Sequence, residues 1–111
     1  MGVGRAVSWP LLRVAVSGDS MGPTLSAGDW LLCRYVPAAA TVRAGQIVVV
    51  ERPDRTGFLL VKRAVRREGD GWWVEGDNVA ASDDSRTFGV VPDDLVIARV
   101  LARYAPRFRR L

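Results

Sequence analysis

The segment Phe58-Leu-Leu-Val-Lys-Arg-Ala-Val65 carries apolar side chains on both sides of a predicted strand. Because side chains alternate between the two faces of a strand, Leu60, Lys62 and Ala64 share one face. The other face carries Leu59, Val61, Arg63 and Val65. A strand that is apolar on both faces is typical of the centre of a sheet, which predicts that Lys62 lies among apolar neighbours.

A lysine in such surroundings has a specific chemical use. Burial disfavours the charged ammonium and lowers the pKa of the side chain. A neutral amine near pH 7 accepts a proton, which is what a general base must do. The alternative that the sequence leaves open is that Lys62 extends along the strand edge until its amine reaches solvent.

The rest of the chain is predicted to form mainly short strands separated by turns. Apolar and β-branched runs predict strands over residues 11–17, 30–36, 46–51, 58–66, 72–75 and 96–101. Turn residues cluster at 53–57, 68–71 and 92–94. Few segments have a helical period. We therefore predict a mostly β, small antiparallel fold that is folded over or partly closed like a barrel.

The length of 111 residues predicts one domain spanning residues 1–111, with its core at about 11–101 and a basic tail at 102–111. Lysine and arginine total 16 against 12 acidic residues, a formal net charge of +4. We interpret the arginine-rich tail as a solvated terminus and leave a peripheral membrane contact as an alternative. No nucleic-acid partner is expected.

No apolar run approaches the roughly 18 residues that a membrane-spanning helix needs. We therefore expect a soluble, cytoplasmic protein without a signal peptide, with membrane association as the alternative. Cys33 is the only cysteine, so no internal disulfide forms, and its apolar surroundings predict a buried side chain.

The chain contains no histidine. This excludes a Ser-His-Asp triad, a Cys-His dyad and the usual zinc sites. A serine hydrolase built from this sequence would need another base, for which lysine is the main candidate.

A candidate nucleophile, Ser20, follows the first predicted strand. Gly18 and Gly22 flank it closely, and Pro23 sets the direction in which the chain leaves. Glycine permits close approach of a substrate backbone, so this geometry suits a nucleophile. An ordinary Ser-Gly-Asp turn is the alternative.

The segment 76–89 is polar and is predicted to be a loop. Its acidic and basic residues are Asp77, Asp83, Asp84 and Arg86. An Asp84–Arg86 pair would brace the loop, contributing about 0–1 kcal/mol if it is exposed. Either Ser82 or Ser85 could orient a lysine amine, and Phe88 could anchor the loop in the core.

Together these blocks resemble the type I signal peptidase family of Ser-Lys endopeptidases. The matching pieces are Gly18-Asp-Ser-Met-Gly-Pro-Thr-Leu25, Gly28-Asp29, Gly45-Gln-Ile47, Val61-Lys-Arg63, Gly76-Asp-Asn78, Ser82-Asp-Asp-Ser-Arg86 and Phe88-Gly89. They follow the order of the family and cover roughly residues 14–100, so the full set is a specific signal.

The resemblance implies a serine endopeptidase with the signal peptidase catalytic fold. Ser20 would be the nucleophile, Lys62 the general base and Ser82 the residue that orients the lysine. The backbone around Ser20 would hold the oxyanion, with Gly18 where some members carry a hydroxyl. Structural members of the loop motif would be Asp77, Asp84 and Arg86. No metal or organic cofactor is implied, and the precursor substrate would bind as an extended peptide.

The chain departs from typical members because it shows no membrane anchor and no room for their larger accessory domain. It therefore looks most like the bacterial protease that matures nickel-type superoxide dismutase by removing an N-terminal propeptide. The alternatives are a conventional signal peptidase without its anchor, a self-cleaving repressor-type peptidase and a non-catalytic β binding module. Only 19 residues precede Ser20, too few for the DNA-binding domain of a repressor. Sequence leaves open the oligomeric state and whether Trp9, Trp72 and Trp73 form core or an apolar rim.

Overall fold

A computed structural model describes residues 7–8 and 10–111, so the expectation for Trp9 lies outside the described residues. Among these described residues, nine strands form one sheet: β1 (Val7–Ser8), β2 (Leu11–Ala15), β3 (Trp30–Tyr35), β4 (Ile47–Glu51), β5 (Leu59–Glu68), β6 (Gly71–Glu75), β7 (Val91–Pro92), β8 (Val96–Ala105) and β9 (Arg109–Arg110). The helical pieces are short: α1 (Ser85–Phe88) and single 3-10 turns at Ala39–Thr41, Val79–Ala81 and Asp93–Leu95.

The strands lie in the order β1-β2-β3-β8-β4-β5-β6-β7, and β9 pairs with β8. All neighbouring pairs are antiparallel, and the sheet curls into a half-barrel. The predicted fold class is therefore confirmed. Frequent turns and short alternating strands direct the chain to this architecture because antiparallel neighbours need only short connections.

Strand β4 lies inside the sheet between β8 and β5. Its side chains alternate between two buried apolar clusters: Ile47 and Val49 enter the first, and Val48 and Val50 enter the second. The run of β-branched residues is explained by this burial on both faces. In the register with β5, Val48 stands opposite Lys62.

Two strands keep one edge open over part of their length. Strand β6 pairs with β5 only from Arg63 onwards, so the start of β5 pairs with β4 alone. Strand β1 pairs with only Leu11 and Leu12 of β2, which leaves the end of β2 paired only with β3. These statements concern the pairing within the described ranges.

The predicted solvated tail is wrong in its first half. Strand β8 continues to Ala105, past the predicted end at residue 101, and Ala102 is buried. Arg109 and Arg110 then pair back onto β8, so main-chain hydrogen bonding orders residues that composition alone assigns to a terminus. The side chains of Arg109 and Arg110 are exposed as predicted, and their contact with a membrane stays a prediction.

Cys33, Trp72 and Trp73 differ in how far their side chains are buried. Cys33 is buried, and burial raises the pKa of its thiol to about 12, so it packs as a small hydrophobe. Trp72 belongs to the second apolar cluster, and its indole N–H donates to the carbonyl of Ala39 at 3.0 Å. Trp73 is half-buried beneath the guanidinium of Arg66.

No helix in the described residues has the length and apolar character to cross a membrane.

Candidate active site

Lys62 is the largest buried polar side chain of the site, with 2% of its surface exposed. Burial lowers the pKa of Lys62 below its ordinary value, and the charges of Asp84 and Asp83 partly oppose this effect. The strand position explains the burial, because Lys62 faces the second apolar cluster beside Ala64. The alternative in which Lys62 reaches solvent is therefore wrong.

The hydroxyl of Ser82 connects Lys62 to the polar loop. Its Oγ accepts from Lys62 Nζ at 3.2 Å and from the backbone N–H of Gly76 at 3.1 Å. It donates its single proton to Asp84 Oδ2 at 2.6 Å. Because the carboxylate only accepts, that proton is committed, and Lys62 must donate to Ser82. The lone pair of a neutral Lys62 amine then points away from Ser82.

Asp84 is fully buried, with 0% exposure. Arg86 binds it in a fork, Nε donating to Oδ1 at 3.0 Å and Nη2 to Oδ2 at 2.6 Å. The backbone N–H of Gly76 also donates to Oδ2 at 2.9 Å. Burial raises the pKa of Asp84, but the hydrogen bonds from Arg86, Ser82 and Gly76 outweigh it and hold that pKa well below its usual range. The pair is therefore a bidentate one between a buried carboxylate and a guanidinium that stays exposed, not the pair exposed on both sides that was considered from sequence.

The two serines that the sequence offered as orienting groups have different roles. Ser85 Oγ accepts from the backbone N–H of Val74 at 2.9 Å and fastens α1 to β6. Ser82 alone of the two contacts Lys62. Phe88 packs against the second apolar cluster, as predicted, and so anchors the end of the loop.

The segment after β6 also holds the turn that contains Ser20. The backbone N–H of Asn78 donates to the carbonyl of Ser20 at 2.9 Å, and its side-chain amide donates to the carbonyl of Asp19 at 3.1 Å. Asp77 accepts from Thr24 at 2.6 Å and from Arg63, whose Nη2 lies at 2.6 Å. Residues from β5, the Ser20 turn and the polar loop thus meet in one hydrogen-bonded unit.

Gly76 is a residue that sequence reasoning did not assign to the site. A Cβ built there would lie 2.2 Å from Ser82 Oγ and 2.6 Å from the carbonyl oxygen of Ser20, closer than any real contact. Only glycine lets the Ser20 turn and Ser82 approach each other across this point. The glycine of the Gly76-Asp-Asn78 block was the available signal. Thr24, Arg63 and Asn78 were likewise quoted within blocks but given no role.

Ser20 lines a cleft of about 150 Å³ together with Met21, the end of β2 and the start of β5. These are the two strand segments whose edges remain open. No hydrogen bond joins Ser20 directly to Lys62 in the part of the chain that the structure describes. Such contacts are often long in unliganded enzymes and tighten when substrate binds. Gly18 has φ +83°, a left-handed conformation that suits glycine at the entrance to this turn.

The arrangement supplies three chemical elements: an accessible hydroxyl in a cleft, a buried amine with lowered pKa and a fixed acceptor that orients the amine. These are the parts of a serine nucleophile activated by a lysine base. Within residues 7–8 and 10–111, no three acidic or cysteine side chains come together as a metal site.

Comparison with known proteins gives one family match and several relatives. The model of the Peptidase S24-like family matches residues 10–100. Mitochondrial inner membrane protease subunit 1 of Xenopus tropicalis is 32% identical, over 84% of this chain and 68% of the relative. The protein of the same name from Schizosaccharomyces pombe is 33% identical, over 81% and 71%. A mitochondrial ATP-independent inner membrane protease subunit 1a of Arabidopsis thaliana is 31% identical, over 82% and 68%.

These relatives bear on the narrower expectations from sequence. They carry the names of inner membrane proteases from eukaryotes, so neither the nickel superoxide dismutase branch nor a bacterial source gains support. Their names place these relatives at a membrane, whereas the sequence expectation for this chain was a cytoplasmic protein.

Proposed function

The chain belongs to the Peptidase S24-like family and is a serine peptidase, and we propose that Ser20 and Lys62 form its catalytic dyad. The observation that carries this assignment is the buried Lys62 amine donating to Ser82 Oγ at 3.2 Å. A buried lysine kept from an ion pair and oriented by a hydroxyl has no structural advantage over an apolar residue. It does have a catalytic one, because its pKa is lowered toward the working pH.

In the first step, Ser20 Oγ attacks the carbonyl carbon of the scissile peptide bond while neutral Lys62 takes its proton. The carbonyl electrons move onto oxygen. When the tetrahedral intermediate collapses, the C–N bond breaks and the leaving amine receives the proton from Lys62. An ester between Ser20 and the acyl half of the substrate remains. In the second step, Lys62 removes a proton from water, whose oxygen attacks the ester carbon. As the C–O bond to Ser20 breaks, Lys62 gives that proton to Ser20 Oγ, and the acyl half leaves as the carboxylic acid.

Ser82 is a positioning residue in this scheme. Its proton is held by Asp84, so its Oγ accepts from Lys62 throughout the cycle. Arg86 and the backbone of Gly76 keep Asp84 ionised. We assign the oxyanion to the backbone N–H of Ser20, at a turn whose shape depends on Gly18.

The substrate would bind as an extended strand in the Ser20 cleft. Within the described ranges, the end of β2 and the start of β5 each have a neighbouring strand on one side only, which suits pairing with a peptide on the other. The cleft of about 150 Å³ includes Val16 and Met21 and admits a small apolar side chain next to the cut. Because the cleft is this small, we expect substrates with small residues next to the cleaved bond.

We propose that the substrates are precursor proteins that lose an N-terminal presegment at or near a membrane. The names of the relatives, which are subunits of mitochondrial inner membrane proteases, support the membrane location and a partner subunit. The nickel superoxide dismutase precursor and a conventional secretory precursor are the competing substrates.

The test is mass spectrometry of a library of extended peptides incubated with the wild type, Ser20→Ala and Lys62→Ala. We expect cleavage beside small residues by the wild type and a loss of about 10³-fold or more in each variant. Arg66→Gln serves as a control, because Arg66 lies on the same strand but is exposed. Wild-type rates in either dyad variant would refute the assignment. Cleavage of the chain within itself would instead indicate the self-cleaving type of peptidase.

A pH profile provides a separate check on the base. Activity should rise with pH as Lys62 loses its proton, because only the neutral amine accepts one. The rise should lie below the ordinary lysine value of 10.5, since burial lowers the pKa of Lys62. A flat profile between about pH 6 and pH 10 would remove Lys62 as the base.

A further inference from the structure

Acidic residues are unevenly distributed along this chain. The first 50 residues contain only Asp19 and Asp29, and no acidic residue follows Asp94. Strands β2, β3, β8 and β9 therefore contain no carboxylate side chain, while they carry six arginines: Arg13, Arg34, Arg99, Arg103, Arg109 and Arg110. One part of the sheet thus carries an excess of positive charge, and of these six arginines Arg103 alone has a carboxylate partner among the described residues, Asp29 at 3.5 Å.

Two of these arginines face each other directly. Arg34 of β3 is the register partner of Arg99 of β8, and both side chains are exposed. Like charges directly opposite each other destabilise a sheet. Elsewhere the arginines Arg52, Arg63, Arg66, Arg67 and Arg86 each have a carboxylate partner. Among residues 7–8 and 10–111, no carboxylate bridges Arg34 or Arg99, and none of residues 1–9 is acidic.

The pair lines a cleft whose other walls are partly apolar. This cleft has a volume of about 350 Å³, and besides the two arginines its walls include Val36, Pro37 and Leu101. A second cleft of about 480 Å³ adjoins it, sharing Arg34 and extending past Tyr35 to Pro10. A ligand that suits both clefts carries a negative group for the guanidiniums and an apolar portion for the walls.

We propose that Arg34 and Arg99 bind the phosphate group of an anionic phospholipid, with an acyl chain along Val36, Pro37 and Leu101. Guanidinium groups recognise phosphate oxygens by paired, charge-assisted hydrogen bonds. A phosphate between the two would also remove the repulsion between them. The adjoining apolar walls favour a lipid over a free phosphate.

The site is separate from the proposed catalytic residues. Tyr35 and Pro10 lie at one end of the β2–β3 ladder, whereas Ala15 and Trp30, next to the Ser20 turn, lie at the other. The basic C-terminal hairpin is a weaker candidate for phosphate. The cleft beside that hairpin includes the carboxylate of Asp29, which Arg103 approaches at 3.5 Å.

The test measures binding of the chain to vesicles of phosphatidylglycerol and phosphatidylcholine by co-sedimentation. We expect binding only to the anionic vesicles and a weakening of at least about tenfold in the Arg34→Gln/Arg99→Gln double variant. The matched control is Arg109→Gln/Arg110→Gln, which removes the same charge from the hairpin and should change binding less than about threefold. Thermal unfolding establishes that each variant is folded.

Three outcomes would overturn the proposal. Equal losses in the two double variants would indicate attraction by net charge alone. Wild-type binding in Arg34→Gln/Arg99→Gln would place the lipid elsewhere. Calorimetry showing that inorganic phosphate binds as tightly as the vesicles would identify a free anion as the ligand. By contrast, Leu101→Asn should weaken vesicle binding and leave the weak binding of inorganic phosphate unchanged.

Both double variants should cleave a soluble peptide at the wild-type rate, since neither touches the Ser20 cleft. Lipid binding is also measurable in Ser20→Ala. Failure of the lipid site and failure of the catalytic assignment are therefore distinguishable.

Discussion

The polar loop at residues 76–89 and the basic segment at 102–111 have similar polarity but different environments. Composition favours solvent for both. In the structure, Asp84 and Ser85 of the loop are buried, whereas the side chains of Arg109 and Arg110 remain exposed. Part of the loop can be buried because its hydrogen-bond donors and acceptors pair with one another. The segment 102–111 has four arginines and no carboxylate, so burial would leave its charges uncompensated.

The comparison shows that a polar segment is buried when its own groups complete a network. Asp84 accepts hydrogen bonds from Arg86, Ser82 and the backbone N–H of Gly76. Ser82 in turn accepts one from Lys62. Buried polar networks are stable only when every member is satisfied. No buried side-chain nitrogen or oxygen among the described residues lacks a partner. Because Lys62 donates to Ser82 in this network, its neutral amine accepts a proton on the side away from Ser82.

Of the changes to the loop and the basic segment, the largest effect should come from removing the link between the loop and Lys62. Ser82→Ala should lower kcat by about 100-fold with little change in KM, because the amine loses its orientation while the cleft is intact. Ser82→Thr should restore part of the activity, since it keeps the hydroxyl. Steady-state kinetics on a cleaved peptide measures both.

Ser85→Ala is the matched control for that change. Ser85 binds Val74 rather than Lys62, so its loss should reduce stability and leave the acid limb of the pH profile in place. Equal kcat values for Ser82→Ala and the wild type would show that Ser82 has only a structural role.

Asp84→Asn should destabilise the protein by about 1.5–3 kcal/mol, because it removes a buried charged acceptor that Ser82, Gly76 and Arg86 share. Denaturant unfolding near pH 7 measures this. The pKa of Asp84 is lowered by folding, so its stabilisation is present above the unfolded value of 3.8 and is lost as pH falls through the folded pKa. The difference between wild type and variant should therefore shrink only in strong acid.

The same change should shift the activity profile. Asp84 raises the pKa of Lys62 and Arg86 lowers it. Asp84→Asn should consequently move the acid limb to lower pH, and Arg86→Gln should move it to higher pH. Shifts in the same direction for both variants would contradict this electrostatic account.

Gly76→Ala should lower the free energy of unfolding by about 1–3 kcal/mol, because the added methyl group overpacks its surroundings. Gly71→Ala should lower it by a similar amount, since a Cβ at Gly71 would lie 2.4 Å from Val90 and from the carbonyl oxygen of Val91. Only the change at Gly76 separates Ser82 from the Ser20 turn. We expect a loss of kcat for Gly76→Ala that exceeds the loss for Gly71→Ala at equal folded fraction. Parallel unfolding and activity assays compare them, and equal kcat values would remove Gly76 from the site.

The smallest effect should come from the exposed segment. Arg109→Gln/Arg110→Gln should change the free energy of unfolding by no more than about 0.5 kcal/mol, because neither guanidinium is buried. Thermal or denaturant unfolding beside Arg86→Gln gives the comparison. A loss as large as that of Arg86→Gln would mean that the hairpin side chains stabilise the fold.

Much of the fold was predictable because strand periodicity is local. The β-branched residues of β4 and the two apolar faces of β5 indicate burial before any contact is known. Likewise the absence of histidine leaves Lys62 as the base that a serine hydrolase would need. The pairing of Arg109 and Arg110 with β8 was missed, because arginines do not signal a strand and backbone pairing depends on which chain segment lies alongside.

The members of the candidate site could be proposed from sequence, whereas their contacts could not. Ser20, Lys62 and the loop residues stand in recognisable blocks, but nothing in their spacing distinguishes Ser82 from Ser85. The link from Arg63 through Asp77 to Thr24 joins residues up to 53 positions apart. Such contacts arise only when strands and loops from distant parts of the chain are packed together.

Local sequence alone was enough to predict the strand pattern, the apolar strand face that carries Lys62 and the limits on the chemistry of this side chain. These follow from side-chain periodicity and from the residue types present, both of which are properties of the chain before it folds. The packing of distant segments against one another was needed to show that Asp84 is a buried carboxylate, that Gly76 admits no side chain and that Arg34 faces Arg99. Each of these depends on distance between segments, and distance sets desolvation, steric exclusion and charge repulsion.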